Sequence, residues 1–83
     1  MPFYLYILHS VSTGKFYVGH SEDVAKRLWE HNHDRSPSTR NRGPWEVIYT
    51  EEYATRSEAS RRERAVKKMK SHAWIEGLAR ASR

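Results

Sequence analysis

The segment from Phe3 to His9 constrains this chain more than any other: Phe3, Leu5 and Ile7 alternate with Tyr4, Tyr6 and Leu8, so both faces of an extended strand would be apolar. Aromatic and branched residues suit a pleated surface, and a strand apolar on both faces belongs in the middle of a sheet. Its neighbours are legible nearby. Ser12-Thr13-Gly14 is turn chemistry, and Lys15 to Gly19 then reads as a second strand, making an antiparallel hairpin. Trp45 to Glu51 alternates Trp45, Val47 and Tyr49 against Glu46, Ile48 and Thr50 and reads as a third.

Helices fill the intervals. Ser21 is the expected N-cap of a first helix of about 11 residues, with Glu22 and Asp23 in the first turn at the positive end of the dipole. Val24, Leu28 and His31 fall on one stripe at i, i+4 and i+7, with Arg27 beside them. Asp34 to Pro44 turns to Ser, Pro, Asn, Arg and Gly, the composition of an exposed loop. Thr55-Arg56-Ser57-Glu58 matches a capping box and opens a helix to about Lys70, whose buried face is Ala59, Val66 and Met69. Ser71 caps a last short helix carrying Trp74, Ile75 and Leu78. The order β-β-α-β-α-α predicts an α+β fold, a three-stranded antiparallel sheet with helices packed on it; no repeat or linker divides residues 1–83, so one domain is expected.

A domain of 83 residues buries about two-thirds or less of its unfolded surface, so the core is thin. With no cysteine, neither a disulfide framework nor a zinc–thiolate site can reinforce it. No apolar run approaches the roughly 20 residues that cross a bilayer, and Met1-Pro2-Phe3-Tyr4 lacks the basic start of a secretory signal; a cytoplasmic location and no membrane contact are expected. The net charge of +5 points to a polyanion, nucleic acid first, because neutralising phosphates releases condensed counterions. That charge is uneven. Residues 1–54 carry net −1 and residues 55–83 net +6, with Arg61, Arg62, Arg64, Lys67, Lys68 and Lys70 as the candidate nucleic-acid-binding side chains. A solvated helix face is the plainer alternative.

Six residues stand out as candidates for chemistry or for shaping a site. Tyr6 and Tyr17 lie in adjacent strands and can be close neighbours across the hairpin, their hydroxyls to one side; a core aromatic pair is the alternative. Gly19 ends the second strand, where it permits a tight turn or the close approach of another group. Arg27 and His31 project from one side of the first helix at i and i+4, a guanidinium that can fork a phosphate and an imidazole that can move a proton. Arg27 can equally pair with Glu30 or Asp23. Glu63 lies in line with the apolar stripe of its helix, where a carboxylate costs desolvation energy unless a cation or hydrogen bonds offset it. Lys67 at i+4 or a neighbouring arginine can supply that, or a hard cation such as Mg²⁺ can. His20, His31 and His33 lack the spacing of a zinc site.

Tyr4-Leu5-Tyr6, Tyr17-Val18-Gly19, then Arg27, His31 and Glu63: this series resembles the GIY-YIG nuclease family over nearly the whole chain. Thr55-Arg56-Ser57-Glu58-Ala59, Arg62-Glu63 and Lys67-Lys68-Met69-Lys70-Ser71 are similar to the wording of its small stand-alone bacterial, UPF0213-like members. The resemblance implies a divalent-metal-dependent endonuclease domain, shared with homing, excision-repair and structure-specific nucleases. By it, Tyr6 and Tyr17 border the attacking water, one of them serving as or helping the base. Arg27 stabilises the pentavalent phosphate, His31 assists proton transfer, Gly19 shapes the site, and Glu63 holds one metal ion, Mg²⁺ or else Mn²⁺. DNA is the favoured substrate, in DNA repair or a related role, with modest sequence specificity.

Tyr4 stands where the first signature usually has Gly, and no Asn follows Asn41, whereas many members carry one near the end of the domain. A catalytically silent module that binds nucleic acid through the same basic surface is therefore the second reading. A protein-interaction domain anchored by Trp29, Trp45 and Trp74 is the third. One site per chain would require a homodimer to cut two strands together.

Overall fold

The strand with two apolar faces is the middle one. In the computed structural model, which describes residues 1–37 and 39–81, β1 (Phe3–Ser10) lies between β2 (Phe16–Ser21) and β3 (Trp45–Tyr53) in an antiparallel sheet of order β2-β1-β3. Ser38 of the expected loop, and Ser82 and Arg83 at the end of the expected domain, lie outside the described residues. Three helices complete the α+β fold: α1 (Val24–Asn32), α2 (Arg56–Met69) and α3 (His72–Ala81). Among the described residues no helix is long and apolar enough to cross a membrane.

Each face of β1 is covered by different helices. Leu5, Ile7 and Val18 pack with Val66 of α2, and Trp74, Ile75 and Leu78 of α3 close over them. Tyr6, Leu8 and Trp45 pack on the other face, under Val24 and Leu28 of α1. Leu5, Ile7 and Leu8 are fully buried, each removing surface worth about 1.5–3 kcal/mol from water. Because β2 is an edge strand, side chains from the two faces can meet around it, and the chemistry gathers on that side.

Several boundaries differ from the sequence expectation. β2 runs on to Ser21, which pairs with Tyr4, so Ser21 belongs to the ladder and cannot cap α1. Asp23 is the cap instead: its carboxylate accepts from the Lys26 N–H at 3.0 Å, and α1 is 9 residues long with no acidic residue in its first turn. In β3 the register slips between Ile7 and Leu8 of β1, so Leu8 faces Val47 while Ile7 faces Tyr49, with Ile48 the extra residue of a bulge. The bulge puts Tyr49 on the α2 face and leaves Trp45 and Val47 on the α1 face, ending the simple alternation at Val47.

The capping box forms in part. The Thr55 hydroxyl accepts from the Glu58 N–H at 3.2 Å, but the Glu58 carboxylate takes the Thr55 hydroxyl at 3.0 Å where a reciprocal box would take the backbone N–H. Met69, expected in the buried stripe, is 46% exposed, because it closes the last turn before Lys70 ends α2 in the left-handed conformation. The apolar residues of α3 cover the core there instead. Ser71 caps α3 as expected, accepting from the Trp74 N–H at 3.1 Å. The loop after α1 is not wholly exposed: Ser36 and Thr39 are buried in it, and Asn32 clips it to β3 by accepting from the Trp45 N–H at 2.6 Å and donating to the Trp45 carbonyl at 3.1 Å.

Candidate active site

Register decides which tyrosines meet. Tyr6 pairs with Gly19 and Leu8 with Tyr17, so Tyr6 and Tyr17 are diagonal neighbours on the α1 face, ring centroids 6.3 Å apart. Gly19 is what lets the Tyr6 ring lie flat against β2. A Cβ at that position would stand 2.7 Å from the Tyr6 hydroxyl oxygen and 2.8 Å from Cζ, closer than real Cβ contacts come. Its value is therefore the missing side chain, which makes room for a phenol.

α1 brings the second pair. His31, placed by its spacing on the stripe with Val24 and Leu28, is 1% exposed and points into the sheet, with its Nε2 3.1 Å from the Tyr6 hydroxyl and its ring 4.6 Å from that of Tyr17. Its Nδ1 meets the Thr39 hydroxyl at 2.7 Å. Arg27, one turn earlier, donates from Nε to the Tyr6 hydroxyl at 3.5 Å and from Nη1 to Glu30 at 3.0 Å, realising the i+3 pair foreseen beside its phosphate-binding role. Arg27, Tyr6, His31 and Tyr17 thus share one contiguous cluster.

Electrostatics fixes the resting protonation. Burial, and then the charge of Arg27, lower the His31 imidazole from 6.5 to about 4, against the smaller pull of Glu30, so it is neutral at pH 7. Burial also raises the Tyr6 phenol, outweighing the hydrogen bond from Arg27, and Tyr17 and Glu63 add to the rise; Tyr6 keeps its proton. A depressed histidine costs stability only in acid: the unfolded chain takes a proton near pH 6.5 that the folded chain refuses until about pH 4, so the contribution is complete above 6.5 and lost as pH falls through that window. The loss is about 3 kcal/mol in full. Denaturant unfolding of wild type and His31→Gln at pH 7 and pH 4.5 checks this: the stability gap between them should shrink by about 2–3 kcal/mol in acid, the carboxylates common to both cancelling.

Glu63 comes from the other face. Its Oε1 accepts from His20 Nδ1 at 2.6 Å and its Oε2 from Lys67 Nζ at 2.7 Å, and Lys67 reaches around the β2 edge to stand 6.0 Å from the Tyr17 ring centroid. It makes no direct hydrogen bond to Arg27, Tyr6, Tyr17 or His31; it meets them through Lys67 and through its charge, which opposes ionisation of Tyr6. Burial pushes its carboxyl up, but the bonds from Lys67 and His20 outweigh that and hold it below the usual carboxylate range, ionised at neutral pH. Two of its roughly four lone-pair directions remain for another ligand.

Helical spacing divides the basic segment. Arg56, Ser60, Glu63 and Lys67 line the side of α2 toward β2, while Arg61, Arg64 and Lys68 face solvent, as does Lys70 beyond the helix end. Arg62 is turned inward: Nε and Nη2 donate to the two oxygens of Glu51 at 2.9 and 3.2 Å, and its guanidinium stands 6.0 Å from the Trp74 ring centroid. That fork holds α2 to β3 and takes Arg62 out of the exposed basic face. Trp45 and Trp74 are committed to the core, and Trp29, 51% exposed, stacks on His33.

Thr39 and His20 were not singled out from sequence as parts of this cluster. Thr39 lies in a segment whose composition signals only a loop, and His20 meets an acid 43 positions away. No local pattern carries either contact.

Comparison with known proteins identifies a family. Residues 2–75 match the GIY-YIG catalytic domain. A UPF0213 protein of Halobacterium salinarum is 41% identical over 68 residues, covering 81% of this chain and 87% of that one, and a UPF0213 protein of Listeria monocytogenes serotype 4b is 40% identical over 67 residues, covering 80% and 74%. The solution NMR structure of a UPF0213 protein from Bacillus halodurans superposes with a TM-score of 0.60 at 33% identity, covering 98% of this chain and 85% of that one. The chain belongs to the GIY-YIG family, a family of nuclease domains.

Proposed function

We propose that this protein is an endonuclease that hydrolyses a nucleic-acid phosphodiester, DNA by preference, with one divalent cation held at Glu63. The observation that carries the reading is that a buried phenol, Tyr6, shares hydrogen bonds with a neutral imidazole and a guanidinium beside the edge strand β2. In this reading the Tyr6 oxygen takes a proton from the attacking water as its own proton passes to His31 Nε2. Arg27, with Nε on Tyr6 and Nη1 on Glu30, offers Nη2 to a phosphate oxygen, which places its charge where the pentavalent phosphate develops. The arriving phosphate also offsets the Arg27 charge that disfavours protonation of His31. Tyr17 walls the other side of the imidazole.

The donor set fits a hard cation. Among the described residues no three His, Asp or Glu side chains gather into a cage, but one ionised carboxylate with free lone pairs suits Mg²⁺, or Mn²⁺, which commonly takes one or two carboxylates and completes its shell with water and substrate phosphate. Bound there, it supplies Lewis-acid charge to the phosphate and the departing oxygen. Lys67, whose side chain is 52% exposed, is free to exchange Glu63 for the phosphate. Arg61, Arg64, Lys68 and Lys70 then grip the backbone; such contacts position a nucleic acid without reading it, so specificity is modest.

Glu63→Gln separates the readings. Wild type should nick plasmid and branched DNA in Mg²⁺ or Mn²⁺ and not in EDTA, and the variant should bind within a few-fold of wild type and cut at least about 100-fold more slowly. If Glu63→Gln cuts at the wild-type rate, the metal assignment is wrong. If neither protein cuts, yet both bind with an affinity that falls steeply with salt, the chain is the silent binding module.

A further inference from the structure

Thr39 has no part in the chemistry assigned above, yet it is fully buried, and its hydroxyl faces the nitrogen of His31 that points away from Tyr6. A neutral imidazole carries its one proton on either nitrogen, and the tautomer decides whether the nitrogen facing Tyr6 accepts or donates. We infer that Thr39 is a positioning residue that holds His31 protonated at Nδ1, so that Nε2 is a base aimed at the Tyr6 hydroxyl. The inference rests on the nuclease reading for its catalytic consequence, though not for the tautomer itself.

Both ends of the chain favour one direction for its protons. At one end the Ser36 carbonyl can only accept, and the Thr39 hydroxyl lies 3.5 Å from it. A Thr39 proton given to that carbonyl leaves a lone pair toward His31, so Nδ1 must bring the hydrogen. At the other end Arg27 Nε can only donate, and it donates to the Tyr6 oxygen. The phenolic proton is thereby turned to His31 Nε2, 3.1 Å away. The opposite tautomer would leave the buried Tyr6 proton without its acceptor at His31 Nε2 and cost Thr39 its bond to Ser36.

Thr39 itself is anchored. Its N–H donates to the Ser36 carbonyl at 3.2 Å, and its carbonyl accepts from Trp45 Nε1 at 3.3 Å. Trp45 is buried in the α1-face core, so the loop position is tied to the same packing that places Tyr6. A buried partner that fixes the tautomer and orientation of a functional histidine is a recurrent arrangement.

The test is ¹⁵N NMR of histidine-labelled protein at pH 7, with Thr39→Val and Thr39→Ser alongside wild type. Wild-type His31 should show the proton on Nδ1, and Thr39→Ser should retain it. Thr39→Val, of similar size but without the hydroxyl, should move the proton to Nε2 and lower the maximal cleavage rate about 100-fold with KM little changed, the lower end of what a positioned acid–base group contributes. Thr39→Ser should restore the rate. Wild-type His31 protonated at Nε2 overturns the inference, as does a folded Thr39→Val with wild-type tautomer and rate. Should Thr39→Val not fold, the wild-type and Thr39→Ser tautomers decide. A wild type that carries the Nδ1 proton but cuts no nucleic acid leaves the tautomer assignment standing and removes the nuclease reading and with it the catalytic role.

Discussion

Tyr6→Phe is expected to lower the single-turnover cleavage rate by about 10²- to 10⁴-fold, the range of a positioned acid–base group, while nucleic-acid affinity stays within a few-fold of wild type. The substitution removes one oxygen from a ring that is otherwise packed among Leu8, Trp45 and Tyr17, so the core keeps its shape. What is lost is the link between Arg27 and His31, since both reach Tyr6 through that oxygen. Leaving buried His31 Nε2 without its partner costs about 1–3 kcal/mol of stability, which a melting curve measures separately from the rate. Tyr17→Phe should cost much less in rate, because Tyr6 is the phenol paired with the imidazole.

Gly19→Ala carries the second large effect, and it acts on fold and chemistry together. Two terms oppose each other. An alanine reduces the freedom of the unfolded chain and stabilises by about 0.4–1 kcal/mol where it fits. It does not fit here: the added methyl would meet the Tyr6 hydroxyl oxygen at 2.7 Å, and the Tyr6 ring, packed among Leu8, Trp45 and Tyr17, has little room to shift. Overpacking of this kind costs about 1–3 kcal/mol, so the net change is destabilising, on the order of 10 °C in Tm for a domain of this size. The ring can relieve the clash only by leaving β2, which opens its bond to His31, so cleavage should fall further than the lost stability explains. A thermal melt and a cleavage assay well below Tm distinguish the two contributions. Gly77→Ala, where nothing lies within 4 Å of the added methyl, is the control.

Strand-level structure was legible because β1 is apolar on both faces and so had to be central, and because Ser12-Thr13-Gly14 fixed the hairpin whose register sets Tyr6 diagonally across from Tyr17. The helix start was misread at Ser21 because β-pairing with Tyr4 competes with capping, a choice that depends on a residue 17 positions away in sequence. The bulge at Ile48 was not readable, since an apolar residue satisfies either face in a strand covered on both. Of the site, Tyr6, Tyr17, Arg27, His31, Glu63 and Gly19 were visible as residue types at characteristic spacing. Their partners were less so: Lys67 follows from helical periodicity, but His20 and Thr39 enter by contacts across the fold, and a run of Ser, Pro and Asn gives no sign that Thr39 will be buried. Arg62 looked like one more surface cation, and only the half-buried Glu51 beneath it shows that it is a strut.

The central claim is that residues from both faces of the sheet act together on one phosphate around the β2 edge, and it is tested most directly by single-turnover cleavage of one DNA substrate by Tyr6→Phe, Glu63→Gln and the double variant. Residues that act as a unit lose their effect together, so each single variant should be slowed at least about 100-fold and the double variant should be hardly slower than the worse single. Losses that multiply in the double variant, or a single variant that cuts at the wild-type rate, would contradict the account.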